Sequence, residues 1–206
     1  MIRVEQDAGL WQVTLERPEK ANSLTGAMLA QLTGIVERAG QSAAKALILT
    51  GAGPVFSAGA DLNEARAGLA TDAVWERLSG ALAALPCLTI AALNGTLAGG
   101  AFGMALACDI RLAVPEASFF YPVMKLGFLP QPSDPARMAA LIGPARTKMI
   151  LMAGQKIAAA EALVWGLIDR IVPADLLLET ARTLAADALA AAPGHIAGIK
   201  RLIPAS

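Results

Sequence analysis

The chain has 206 residues, 55% hydrophobic, 17% charged and 4% aromatic, with 17 basic residues balancing 17 acidic ones. Alanine fills 45 positions, so the apolar excess marks a helix-rich chain around an ordinary core, long enough for one domain. The net charge of +0 offers no basic surface for nucleic acid or anionic lipid, which excludes polyanion-binding classes.

In chain order, residues 2–6 and 10–15 flank Asp7-Ala8-Gly9 and predict a hairpin, with Trp11, Val13 and Leu15 alternating with Gln12 and Thr14. Thr25 is placed to cap a helix running to Ala39, whose apolar stripe is Met28, Leu29, Leu32, Ile35 and Val36. Residues 46–50 predict a buried strand, 51–59 a Gly/Ala/Pro loop, and Asp61 a cap for the next helix. A helix over 72–85, a buried strand over 88–93 and an all-apolar helix over 99–107 follow. Strands are expected at 110–114 and 118–121. Beyond the loop at 130–135 the pattern turns helical, at 135–141, 145–152, 158–165, 176–191 and 193–202, interrupted by one short strand at 169–172. These elements predict an α/β fold, with a core over 1–142 and a C-terminal helical region over 143–206.

The longest charge-free run, residues 78–108, spans 31 positions, enough to raise the question of a membrane span. Pro86, Asn94, Gly95, Gly99, Gly100 and Gly103 cut it into short pieces, so a buried strand, a tight turn and a buried helix account for it better. No basic segment precedes an apolar stretch near Met1, and Cys87 and Cys108 give neither a metal spacing nor a disulfide framework. A soluble cytoplasmic protein with buried free thiols is expected.

Few residues are suited to chemistry. The only histidine, His195, stands at an expected helix start, where a solvated role fits better than a hydrolytic triad. No metal site is indicated, and neither Gly51-Ala52-Gly53 nor Gly99-Gly100 continues into a phosphate loop. Two small-residue turns stand out, Phe56-Ser57-Ala58-Gly59-Ala60-Asp61-Leu62 and Asn94-Gly95-Thr96-Leu97-Ala98-Gly99-Gly100, each after a buried strand and before a helix. Unpaired N–H groups at helix starts suit a developing oxyanion, although tight strand-to-helix turns alone would look the same.

These turns occur in order with Leu15-Glu16-Arg17-Pro18, Asn22-Ser23-Leu24, Cys108-Asp109-Ile110, Lys125-Leu126-Gly127 with Pro130, and Ala162 with Gly166-Leu167-Ile168. Together they resemble the crotonase, or enoyl-CoA hydratase/isomerase, family over nearly the whole chain. The resemblance implies a crotonase-like spiral of strand–strand–helix (ββα) turns with C-terminal helices that build a homotrimer or a dimer of trimers. It also implies an acyl-CoA ligand, with coenzyme A entering as part of the thioester substrate and no separate cofactor. By the family pattern the N–H groups of Ala60 and Gly100 form an oxyanion hole for a thioester enolate. Ala58, Asp61 and Leu62 lie in the segment that borders the adenine, Asp61 chiefly as a structural cap, and Lys20 is placed to meet phosphates.

The chain also departs from the pattern. The two positions where hydratases carry glutamates are Gly103 and Val123, and neither side chain transfers a proton. If Val123 lies in an extended segment facing the substrate, Tyr121 and Lys125 share its parity. Gln131, Ser133 and Asp134 occupy the following loop. Tyr121 and Asp134 are the leading acid/base candidates, with a helix-cap role for Asp134 equally open and Glu64 and Asp72 expected to be solvated. The sequence also stops at Ser206, earlier than family chains usually do, which points to a more open pocket or one completed by a partner. Decarboxylation, thioester hydrolysis or isomerisation suits such a site better than hydration, and a non-catalytic acyl-CoA binder or assembly subunit is the rival reading.

Overall fold

The structure is a computed structural model in which residues 1–203 are described; the last three positions of the 143–206 region lie outside the described residues. Strands β1 (Ile2–Asp7) and β2 (Leu10–Leu15) form the expected antiparallel hairpin, with Asp7 opposite Leu10. Its two-residue turn, Ala8-Gly9, takes φ of 46° and 90°, the left-handed geometry that matches strand twist. The alternation expected in β2 does not mark a solvated face: Gln12 and Thr14 are buried along with Trp11, Val13 and Leu15. β2 is an interior strand of its sheet, and Arg182 covers its polar side by donating to Gln12 Oε1 at 2.8 Å.

Helix α1 (Gly26–Gln41) begins where predicted, with Thr25 Oγ1 accepting from the Met28 N–H, and buries the expected stripe. Next come β3 (Ala46–Gly51), β4 (Val55–Ser57), α2 (Leu62–Arg66) and α3 (Val74–Ala83). Then follow β5 (Leu88–Leu93), β6 (Thr96–Ala98), a 3-10 turn at Gly99–Ala101, and α4 (Phe102–Leu106). The next turn of chain supplies β7 (Ile110–Ala113), β8 (Ser118–Phe120), α5 (Val123–Leu126) and α6 (Asp134–Leu151). The C-terminal part comprises β9 (Ile157–Ala158), α7 (Ala159–Trp165), β10 (Arg170–Ile171), α8 (Leu177–Ala190) and α9 (Pro193–Leu202).

The strands form two sheets, β1-β2-β3-β5-β7-β10 and β4-β6-β8-β9. Each successive turn of the chain gives one strand to each sheet, parallel to the turn before: β3 and β4, β5 and β6, β7 and β8. This is the spiral of ββα units that the resemblance implied. Three strands of the second sheet were not expected. β4 falls in the predicted 51–59 loop and β6 in the second small-residue turn, and at three residues each they carry too little periodicity to read; β9 has two.

One further expectation is corrected and one is met. Val123 is not in an extended segment; it opens the short helix α5, so the parity argument that paired Tyr121 with Lys125 fails, and Lys125 is exposed. Helix α6 is broken at Gly143, where φ is 79° and ψ 159°, so its two halves correspond to the separate helices expected at 135–141 and 145–152. The C-terminal elements pack onto the core through Lys45 Nζ, which donates to Leu189 O at 2.7 Å, and Lys200 Nζ, which reaches Cys87 O and Asp109 Oδ2.

The charge-free run is accounted for by most of α3, then β5, β6 and α4, and among the described residues no helix is long and apolar enough to cross a membrane. Cys87 and Cys108 are free and buried, and loss of solvation pushes their thiols up to about 11 and about 12.

Candidate active site

The two small-residue turns meet. Gly59 has φ of +88°, and a Cβ there would lie 2.9 Å from Ala98 O and 3.4 Å from Gly99 Cα. Only glycine takes that conformation cheaply while letting the second turn approach this closely. The Leu24 N–H donates to Gly59 O and the Asp61 N–H to Leu24 O, both at 2.8 Å, which makes one isolated parallel bridge between Leu24 and Ala60. The intervening Ala60 N–H points away from that bridge and has no protein acceptor among the described residues. Gly100 lies in the first turn of the helical entry to α4, where an N–H has no partner one turn back, and likewise has no acceptor among the described residues. The indole of Trp75 covers Gly100, with three ring carbons 3.2–3.3 Å from where a Cβ would stand, and its Nε1–H donates to Leu69 O.

Two asparagines, Asn22 fully buried and Asn94 half-buried, hold these turns. Asn22, at φ 50°, donates to Ala52 O and Val55 O while its Oδ1 accepts from the Arg17 N–H. Asn94 Oδ1 accepts from the Gly51 N–H, and its Nδ2 donates to Gly53 O. The sequence motifs contained both asparagines, but nothing in their spacing disclosed that both clamp the strand connection from Gly51 to Val55.

Asp61 is fully engaged. Oδ1 accepts from the N–H groups of Asn63 and Glu64 at the start of α2, and Oδ2 pairs with Arg17 Nη1 at 3.0 Å. The hydrogen bond from Arg17 holds its carboxyl below the usual range. Ala58 and Leu62 are exposed on the same segment, Leu62 at 67%. Lys20 is exposed on the adjoining stretch, which is tied to this segment where the Ala58 N–H donates to Ala21 O. Glu64 and Asp72 are not merely solvated: Glu64 Oε2 accepts from the Gly26 N–H at the start of α1, and Asp72 Oδ1 accepts from the Val74 N–H. His195 is exposed in the first turn of α9.

Tyr121 and Asp134 come together. The Tyr121 hydroxyl donates to Asp134 Oδ2 at 3.0 Å and accepts from the Gln131 N–H, while its ring stacks on Phe102 with centroids 5.5 Å apart. Asp134 does not cap α6. It is the first helical residue, its side chain turns inward, and it is 0% exposed. The capping is done from another element, since Glu76 Oε1 on α3 accepts from both the N–H and the hydroxyl of Ser133. Asp134 Oδ1 has no hydrogen-bond partner, and it lies 3.0 Å from where a Cβ on Gly103 would be. Burial raises the Asp134 carboxyl to about 7; the Tyr121 hydrogen bond and the charge of Arg137 oppose that rise, and the charge of Glu76 adds to it. Burial, and then Asp134, push the Tyr121 phenol well above its ordinary value. Gln131 Nε2 donates to Ala70 O, and Val123 is buried. Glu76 and Trp75 escaped the sequence reading because their partners at Ser133 and Gly100 are distant in the chain.

Two sheets wound as ββα turns, with paired small-residue turns at successive strand ends, define the crotonase fold. The enoyl-CoA hydratase/isomerase family profile matches residues 5–205, and the chain belongs to that family. It is 33% identical to a probable enoyl-CoA hydratase, echA6, of Mycobacterium tuberculosis over 98% of this chain and 82% of that protein. It is 34% identical to a carnitinyl-CoA dehydratase of Salmonella enteritidis over 100% of this chain and 80% of that one. Among solved structures, an enoyl-CoA hydratase from Bacillus anthracis superposes with a TM-score of 0.90 at 33% identity, over 97% of this chain and 81% of that one. DspI of Pseudomonas aeruginosa gives a TM-score of 0.90 at 32% identity, over 98% and 85% of the two chains.

Proposed function

We propose that the protein is an acyl-CoA-processing enzyme that stabilises a thioester enolate between the N–H groups of Ala60 and Gly100. The observation that carries this reading is the contact of the two turns, which places two unpartnered backbone donors at adjoining helix starts. Donors fixed by the fold need little rearrangement as charge develops on the carbonyl oxygen, which is where such a site lowers a barrier. Coenzyme A enters as part of the substrate, along Ala58, Asp61 and Leu62 with Lys20 near its phosphates, and no other cofactor is invoked.

Proton transfer is assigned to the Tyr121–Asp134 pair, because Gly103 and Val123 stand where the family resemblance expects glutamates. Decarboxylation, thioester hydrolysis or isomerisation is favoured over hydration, which needs two independently placed carboxylates. The working assembly is proposed to be a homotrimer or a dimer of trimers, in keeping with the exposed apolar side chains of Met124, Leu126 and Leu129 on one short stretch. Light scattering of the purified chain measures that state.

The test is turnover of a panel of enoyl-, malonyl- and 3-oxoacyl-CoA esters, with binding measured in parallel. Conversion of one ester class, lost on removal of the Gly100 donor, supports the reading. Micromolar binding with no conversion of any ester overturns it in favour of an acyl-CoA-binding subunit.

A further inference from the structure

Groups from two other elements meet the Asp134 carboxyl, and one from a third element grips its neighbour. Gly103 on α4 leaves the space that Oδ1 fills, and Tyr121, just after β8, donates to Oδ2. The third is Glu76 on α3. It does not touch Asp134, but its Oε1 takes the N–H of Ser133 at 3.1 Å and the Ser133 hydroxyl at 3.0 Å, gripping the residue immediately before Asp134. Ser133 has αR backbone angles (φ −82°, ψ −20°) and makes no cap with its own side chain; the carboxylate from α3 takes this N-cap residue's own donors, while the Asp134 N–H donates to Gln131 O at 3.1 Å.

We propose that Glu76 is a positioning residue for Asp134. Through Ser133 it fixes the entry of α6 so that Asp134 Oδ1 stays in the gap beside Gly103. This deepens the acid/base role given above to the Tyr121–Asp134 pair and rests on it.

The division of labour follows from the hydrogen bonds. Tyr121 spends its proton on Oδ2, so Oδ1, without a partner, is the oxygen free to exchange a proton. The charged or titratable groups acting on the Asp134 carboxyl are Tyr121, Glu76 and Arg137, and Gly103 brings none. Arg137 stands three residues along the same helix and opposes Glu76, which adds to the rise that burial produces. The two effects of Glu76, hydrogen-bond acceptance and charge, are separable by substitution. Glu76→Gln keeps an oxygen that can accept from Ser133 and removes the charge; Glu76→Ala removes both.

The experiment follows the Asp134 carboxyl carbon by NMR in labelled full-length protein from pH 4 to 9, assigned with Asp134→Asn. The pH profile of thioester turnover is measured beside it. Glu76→Gln is expected to lower the Asp134 midpoint by about half a unit or more while the fold and the Ser133 amide signal are retained. Glu76→Ala is expected to move the Ser133 amide signal and cut turnover beyond the loss in Glu76→Gln. A Ser133 amide signal, an Asp134 midpoint and a turnover all unchanged in Glu76→Ala overturn the proposal. A shifted midpoint in a protein that turns over no thioester upholds it and sinks the enzymatic reading instead. If Glu76→Ala fails to fold, Glu76→Asp, whose shorter side chain withdraws the acceptor from Ser133, decides by the same three readouts.

Discussion

Asp134 reaches from α6 into the space that Gly103 leaves open on α4, bringing its unpartnered Oδ1 to 3.0 Å from where a Cβ on residue 103 would stand. A carboxylate from one helix thus fills the space beside a position on another that carries no side chain. Gly103 sits one helical turn beyond Gly100, whose N–H is the proposed oxyanion donor. The two residues form one unit, and changing either changes the other's surroundings.

Gly103→Ala separates activity from stability. Alanine is favoured over glycine in a helix by about 1 kcal/mol, and the added Cβ displaces the end of one side chain rather than backbone. Global stability, measured by urea unfolding, is expected to stay within about 1 kcal/mol of the parent. Turnover is expected to fall at least about tenfold as Asp134 Oδ1 is pushed aside. A variant with full turnover and a displaced Asp134 would remove that carboxyl from the chemistry.

Asp134→Asn changes the pH dependence of stability in a defined direction. The folded-state value, raised to about 7 from an ordinary 3.8, means that the stability tied to the neutral carboxyl is complete below about pH 4 and is lost as pH rises through 7. Across that span the ceiling is about 4 kcal/mol. Asparagine stays neutral, so the variant's Tm is expected to be nearly flat from pH 4 to 8 and to exceed the parent's at pH 8. Its turnover is expected to drop by about 10²–10⁴. A Tm profile parallel to the parent's would show that Asp134 does not titrate in this range.

Tyr121→Phe removes the donor to Oδ2 but keeps the ring stacked on Phe102. Because that hydrogen bond lowers the Asp134 value, its loss moves the midpoint further up. The variant also leaves the Gln131 N–H without its acceptor, so unfolding is expected to show a loss of about 1–3 kcal/mol. Carboxyl-carbon NMR checks the first point and denaturant unfolding the second; a lowered midpoint would contradict the assigned direction of the Tyr121–Asp134 bond.

The large elements were legible because each announces itself locally. Thr25 and the stripe from Met28 to Val36 located α1, and Asp61 located α2. Strands β4, β6 and β9 were not legible, since β4 and β6 lie inside Gly/Ala-rich turns, β9 runs straight into α7, and none is long enough to override those local signals. At the site, the sequence offered Tyr121 and Asp134 as separate candidates and left Asp134 open as a cap. The contact between them depends on Pro122 and Val123 turning into α5, which the extended reading of that stretch concealed. Glu76 carried no local signal, because its partner Ser133 is 57 residues on.

A backbone donor resists mutation, and at Gly100 a matched pair of variants isolates it. Gly100→Ala and Gly100→Pro both place a Cβ 3.2–3.3 Å from the Trp75 ring, so both force the same small adjustment of the indole. Only proline removes the N–H, and proline is tolerated in the first turn of a helix, where that N–H has no helical partner. Because a proline ring also crowds Gly99, which stands at φ 55°, the ratio of their turnover numbers reports the donor when the two variants unfold at matching temperatures. Proline is expected to be slower than alanine by about 10²–10³ in kcat, with acyl-CoA affinity changed much less, because the bond matters most when the carbonyl oxygen carries charge. Equal kcat values in two folded variants would rule out the Gly100 amide as an oxyanion donor.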